Sequence, residues 1–144
     1  MYQRLTLIGN LGRDPEMRYM PDGTAVTNFS LATNRSWNDR QTGERQEETT
    51  WFRISTWGRQ AELANQYLTK GRRVLIEGRL QGDPDSGSPR LWTRQDGTIA
   101  ASFEVRALAM QFLGGPSDAA NGSNGAVDAA QVSDDAPEAD EIPF

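Results

Sequence analysis

Apolar and polar residues alternate with period two through most of the first 115 positions, the pattern of strands with one buried face. Leu5, Leu7, Gly9 and Leu11 share one side of a first strand that Gly12-Arg13-Asp14-Pro15 ends. A glycine inside that strand predicts a bulge or a close backbone approach at Gly9. Pro21-Asp22-Gly23 is a turn signal, and a second strand follows in Ala25–Asn34 with Phe29 and Leu31 on one side. Residues 38–46 read as a polar turn around Gly43, which leaves Trp37 in a polar arm. A third strand runs Glu48–Trp57 and a fourth Arg72–Leu80. Gly82 to Pro89 is a loop by composition. Gln95-Asp96-Gly97-Thr98 then turns a hairpin into a final strand, Ile99–Leu108, with Phe103 and Val105 expected to face in.

Only Ala61, Ala64, Tyr67 and Leu68, within Arg59–Thr69, have helical spacing, and Gly71 marks the stop. Five strands with one helix between the third and fourth is the element order of an all-β, five-stranded OB-fold Greek-key barrel. The same count also describes an SH3-like barrel or a small sandwich.

Composition divides the chain. It holds 15 basic and 20 acidic residues, for a net charge of −5. All the basic residues precede position 116, where the balance is +2, while residues 116–144 carry seven acids and no base. All four Trp and all three Tyr also precede 116. Leu113-Gly114-Gly115-Pro116 is a breaker cluster. The expected organisation is a folded domain over 1–113 and a disordered acidic tail over 114–144.

The absence of Cys and His removes thiolate and imidazole catalysis and ordinary zinc sites. Asp14 with Glu16, or Glu47 with Glu48, lacks a suitably spaced third ligand. No apolar run approaches the ~20 residues of a membrane span, and Met1-Tyr2-Gln3-Arg4 does not read as a leader. The expectation is a cytoplasmic, non-enzymatic protein that uses no cofactor, no metal and no membrane.

The informative stretch is Thr50-Trp51-Phe52-Arg53-Ile54-Ser55-Thr56-Trp57. As a strand it turns Phe52, Ile54 and Thr56 one way, and Trp51, Arg53, Ser55 and Trp57 the other. One reading buries both faces and pairs Arg53 with a carboxylate. The other leaves a guanidinium exposed between two indoles, since the Phe/Ile face already supplies a core. Trp37, near Arg35 and Arg40, and Trp92, between Arg90 and Arg94, repeat the combination. Aromatic faces interleaved with cations suit a single-stranded nucleic acid, whose bases stack for about 1–3 kcal/mol each while Arg meets phosphates. The 14 Arg against one Lys fit that chemistry as well.

At the other end, Asp140-Glu141-Ile142-Pro143-Phe144 sets an apolar tip behind an acidic stretch. The bland reading is a solubilising tail. The alternative is a ligand for an apolar pocket rimmed by basic residues.

Several segments together resemble the bacterial single-stranded DNA-binding proteins. They are Leu-Ile-Gly-Asn-Leu-Gly-Arg-Asp-Pro-Glu at 7–16, Arg-Tyr-Met-Pro-Asp-Gly at 18–23, and Leu-Ala-Thr-Asn at 31–34. Trp51-Phe52-Arg53, Tyr67-Leu68-Thr69-Lys70-Gly71, Ile76-Glu77-Gly78 and the terminal Asp140–Phe144 match as well. The resemblance implies an OB fold assembled as a homotetramer, with single-stranded DNA wrapped around it. It also implies a tail tip that recruits replication and repair enzymes. By position, Trp37, Trp51 and Trp92 match the family's stacking tryptophans, and Trp57 falls where many members carry a different DNA-contacting aromatic. Arg18, Arg53, Arg59 and Lys70 match its basic phosphate contacts. Residues 82–89 read as an insertion before Trp92, and Phe52 stands where some members carry a His linked to assembly. A replication-restart adaptor, an RNA chaperone and a nuclease are the competing functions.

Overall fold

A computed structural model describes residues 1–114. The acidic segment and its tip, Asp140 to Phe144, lie outside the described residues. The elements are β1 (Leu5–Leu11), β2 (Glu16–Tyr19), β3 (Ala25–Asn38), β4 (Arg45–Trp57), α1 (Arg59–Tyr67), β5 (Arg73–Gln81), β6 (Arg90–Thr93) and β7 (Ile99–Leu113).

Five of the strands close a barrel. The order β1-β5-β7-β4-β3 returns on itself because β3 also pairs with β1. Pairs are antiparallel except β4 with β7, which run parallel. This is the OB-fold architecture, with α1 between the third and fourth barrel strands. The two further strands are short additions. β2 lies along β3, and β6 lies along β7.

Period-two alternation puts Leu7, Leu11, Phe29, Leu31, Ile54, Val74, Ile76 and Val105 into one interior. Burying a side chain of this size fully contributes about 1.5–3 kcal/mol. The helix, with Ala61 and Ala64, and the extended Leu68 that follows it close one end, and the Thr27 hydroxyl donates to the Ala61 carbonyl at 2.7 Å. Gly9 is where β1 crosses β3. A Cβ there would lie 2.3 Å from the Ala32 carbonyl oxygen, so the close approach expected of that glycine is real.

Three expectations need correction. The strands around Gly43 run further than the alternation suggested, to Asn38 and from Arg45, and the turn shrinks to Asp39–Glu44. Trp37 is therefore a strand residue, not part of an arm. The last strand continues past Leu108 to Leu113. Register slips there, with Glu77 opposite Ala109 and Gly78 opposite Ala107, so Leu108 is an unpaired bulge residue. Its carbonyl accepts from the Gln60 side chain at 2.7 Å. After the bulge Met110 and Phe112, rather than odd-numbered residues, sit opposite buried Ile76 and Val74, which breaks the alternation in the sequence. Finally, Phe103 has the inward parity of Val105 but is 53% exposed. It pairs with Phe52 at the barrel mouth, their ring centroids 5.8 Å apart.

From Leu5 to Gly9, β1 has a strand partner on one edge only, β5, among the described residues.

Candidate nucleic-acid interface

Strand β4 carries the two faces that its alternation implied. Ile54 and Thr56 are fully buried and Phe52 is half-buried, while Trp51 is 53% exposed and Arg53 is exposed. Cross-strand pairing extends the outer face sideways. Trp51 lies opposite Ala32, Arg53 opposite Ser30, and Trp57 opposite Val26, which is opposite Arg18 on β2. On the other side, Glu104 and Arg106 of β7 stand beside Arg53 and Ser55.

The Trp51 ring rests on a bare α-carbon. A Cβ on Gly12 would lie 2.5 and 2.8 Å from two of its ring carbons. The Gly12 amide is tied to the Ser30 carbonyl at 3.0 Å, which fixes this floor. The connection after α1 docks on the same turn. Lys70 donates its backbone N–H to Asp14 Oδ1 at 2.7 Å, and Gly71 donates to the Leu11 carbonyl at 2.8 Å. Lys70 thus stands at the edge of the turn that carries Gly12.

Trp92 joins the same face through β7. It sits opposite Ala100, on the side of the ribbon that continues through Ser102 to Glu104 and Arg106. The Trp92 indole N–H donates to the Ser102 hydroxyl, and the Arg94 guanidinium lies 5.9 Å from the ring centroid. The loop at residues 82–89 folds on itself around Asp83, whose side chain accepts from the Asp85 and Ser86 amides.

Trp37 is placed differently. It has the parity of Leu31 rather than of Trp51, out on the extended β3–β4 hairpin, with Arg35 5.2 Å from its ring centroid. Arg59 opens α1, two residues after Trp57, and is exposed. The structure therefore gathers Trp51, Arg53, Trp57, Arg18 and Trp92 on one sheet face. Lys70 is at its edge, Arg59 beyond one end, and Arg35 with Trp37 on the hairpin.

Two arginines in this region were not singled out in the sequence. Arg106 holds its guanidinium 4.9 Å from the Trp57 ring centroid, and Arg79 of β5 lies directly opposite Arg106. Their facing is set by strand register, which alternation within one strand does not reveal. Among the described residues the ion pairs are Arg4–Glu77 and Arg13–Glu16, so the cations of this face have no carboxylate partner. No group of metal-ligating residues is present among the described residues.

Residues 2–113 match the model of the single-strand binding protein family. The chain belongs to that family. A Plasmodium falciparum SSB solved in complex with single-stranded DNA is 31% identical, with a TM-score of 0.65 over 79% of this chain and 97% of that one. A deletion mutant of the single-stranded DNA binding protein from Thermus aquaticus is 30% identical, with a TM-score of 0.59. That match covers 80% of this chain and 52% of the Thermus chain.

Proposed function

We propose that this protein binds single-stranded DNA without sequence preference, laying it across the β4–β7–β6 face. The observation that carries the reading is the parity of β4. It exposes Trp51 and Arg53 while its other face builds the core. Stacked bases supply about 1–3 kcal/mol each, a range established on single-strand binders themselves rather than on this chain. The arginines of this face neutralise phosphates, which makes affinity fall as salt rises. The neighbour's complex with single-stranded DNA supports the choice of ligand.

In this reading the protein coats and protects single strands during replication, recombination and repair, and performs no chemistry on them. The open edge of β1 supports self-association by strand pairing, in keeping with a homotetramer. Asp140-Glu141-Ile142-Pro143-Phe144 is the peptide that recruits partner enzymes.

Titration with a thymidine oligomer tests the reading. Binding quenches most of the tryptophan fluorescence, since the platforms are the fluorophores, and a labelled RNA oligomer of equal length competes poorly. Unquenched fluorescence with no change in oligomer anisotropy would refute it. Preference for RNA would favour a chaperone.

A further inference from the structure

Trp57 is the indole of this face least available to a base. Its N–H is buried without an acceptor, its cross-strand neighbour Val26 is buried, and a guanidinium lies over its ring. That guanidinium belongs to Arg106, which the β5–β7 register sets directly opposite Arg79. Like charges placed opposite one another on adjacent strands repel, their Cβ atoms being only about 5 Å apart. Neither arginine has an ion-pair partner among the described residues. Glu104 shares their face but lies opposite Gln81, and Glu77 is taken by Arg4. Two guanidiniums held side by side on adjacent strands concentrate positive charge where one anionic group can accept from both.

We propose that Arg79 and Arg106 form a phosphate-binding subsite for a phosphodiester of the bound strand. Trp57 is a positioning residue that holds the Arg106 guanidinium through its ring face, not a base-stacking platform. A cation over an indole is held by the ring quadrupole, which leaves the guanidinium edges free to donate to phosphate oxygens. The subsite rests on the single-strand reading above and adds to it the role of three residues.

The salt dependence of binding separates a phosphate contact from a stacked base. Each phosphate neutralised on a single strand contributes about 0.7 to the slope of log K against log salt, and stacking contributes nothing. Binding of a fluorescein-labelled thymidine oligomer is measured by anisotropy across a sodium chloride series, with melting curves for every variant. Arg106→Ala and Arg79→Gln each lower the slope by about 0.7, and Arg106→Lys keeps it. Trp57→Ala lowers it as Arg106→Ala does, Trp57→Ala combined with Arg106→Ala lowers it no further than either alone, and Trp57→Phe retains most of it. Should Trp57→Ala fail to fold, Trp57→Leu and the two arginine variants carry the same comparison. A loss of affinity in Trp57→Ala or Trp57→Leu at unchanged slope would make Trp57 a platform and overturn the assignment. An unchanged slope in Arg106→Ala would overturn the subsite alone. Wild-type protein that does not bind the oligomer would overturn the nucleic-acid reading and the subsite with it.

Discussion

Across the β6–β7 ribbon the Trp92 indole N–H donates to the Ser102 hydroxyl at 2.9 Å. The two residues share a face one pair apart, since Trp92 is opposite Ala100 and Arg90 opposite Ser102. The bond fixes which way the ring plane points on an otherwise exposed two-stranded ribbon. Ser102→Ala therefore frees the ring and weakens binding of a thymidine oligomer by about 0.5–1.5 kcal/mol, up to about tenfold. Ser102→Thr restores it. The melting temperature stays put, because neither partner belongs to the buried core.

Gly12 does for Trp51 what Ser102 does for Trp92, by leaving room. A Cβ at Gly12 collides with the ring at 2.5 Å, whereas one at Gly23 meets nothing. Gly12→Ala pushes the distal edge of the half-exposed indole off its floor, which changes its aim at the surface while the buried core is untouched. Oligomer affinity falls with it. Gly23→Ala strains a turn at φ 85° and lowers stability while leaving affinity per folded molecule unchanged. Equal affinity in the two variants would remove Gly12 from the site.

These two supports were invisible in the sequence, although the barrel was not. The five barrel strands and α1 follow from apolar alternation and one helical stripe, because each buries a face. β2 and β6 bury almost nothing over four residues each, so no pattern announces them. The Leu108 bulge swaps the parity of β7 midway and hides its second half. The β4 tryptophans were legible from their own strand, whereas Gly12 under Trp51 and Arg79 facing Arg106 exist only once strands are in register.

Four turns use one carboxylate device, and it sets an acid limit. The backbone amide of Thr24 holds Asp22 below its ordinary range, and those of Gln41 and Thr42 do so for Asp39. The Ser86 and Asp85 amides depress Asp83, while the Thr98 hydroxyl and then its amide depress Asp96. A depressed folded pKa means the stabilisation is complete above the unfolded value, about 3.9, and is lost as pH falls through the folded value. Carboxyl chemical shifts should therefore titrate below about 3.9 at all four aspartates, with the turns intact at pH 5. A midpoint above that value at any of them would contradict its hydrogen bonds.

Residues 116–144 carry seven acids beside a domain whose balance is +2. Tethered to the same chain, they should compete with DNA phosphates at high effective concentration. Removing them changes the net charge from −5 to +2 and should tighten oligomer binding at low salt. The gain shrinks as the Debye length falls toward ~10 Å at 0.1 M. Phe144→Ala removes no charge, so it should abolish capture of partner enzymes and leave DNA affinity unchanged. Tightening by Phe144→Ala equal to that of the full deletion would show the competition is not electrostatic.

The parity of β4 makes the sharpest separation between fold and binding. Ile54 is fully buried in the core, and Trp51, three positions earlier, is 53% exposed on the opposite face. Ile54→Ala removes buried methylenes and leaves a cavity, costing about 2–5 kcal/mol of unfolding free energy. Below the unfolding transition its affinity for a labelled oligomer per folded molecule is unchanged. Trp51→Ala does the reverse. Surface truncation leaves stability within about 0.5 kcal/mol, while the lost platform costs about 1–3 kcal/mol of binding. Urea denaturation followed by circular dichroism and oligomer anisotropy read the two quantities independently of tryptophan fluorescence. If both substitutions lower stability alike and spare binding, β4 is buried on both faces, and the tryptophan surface is core rather than interface.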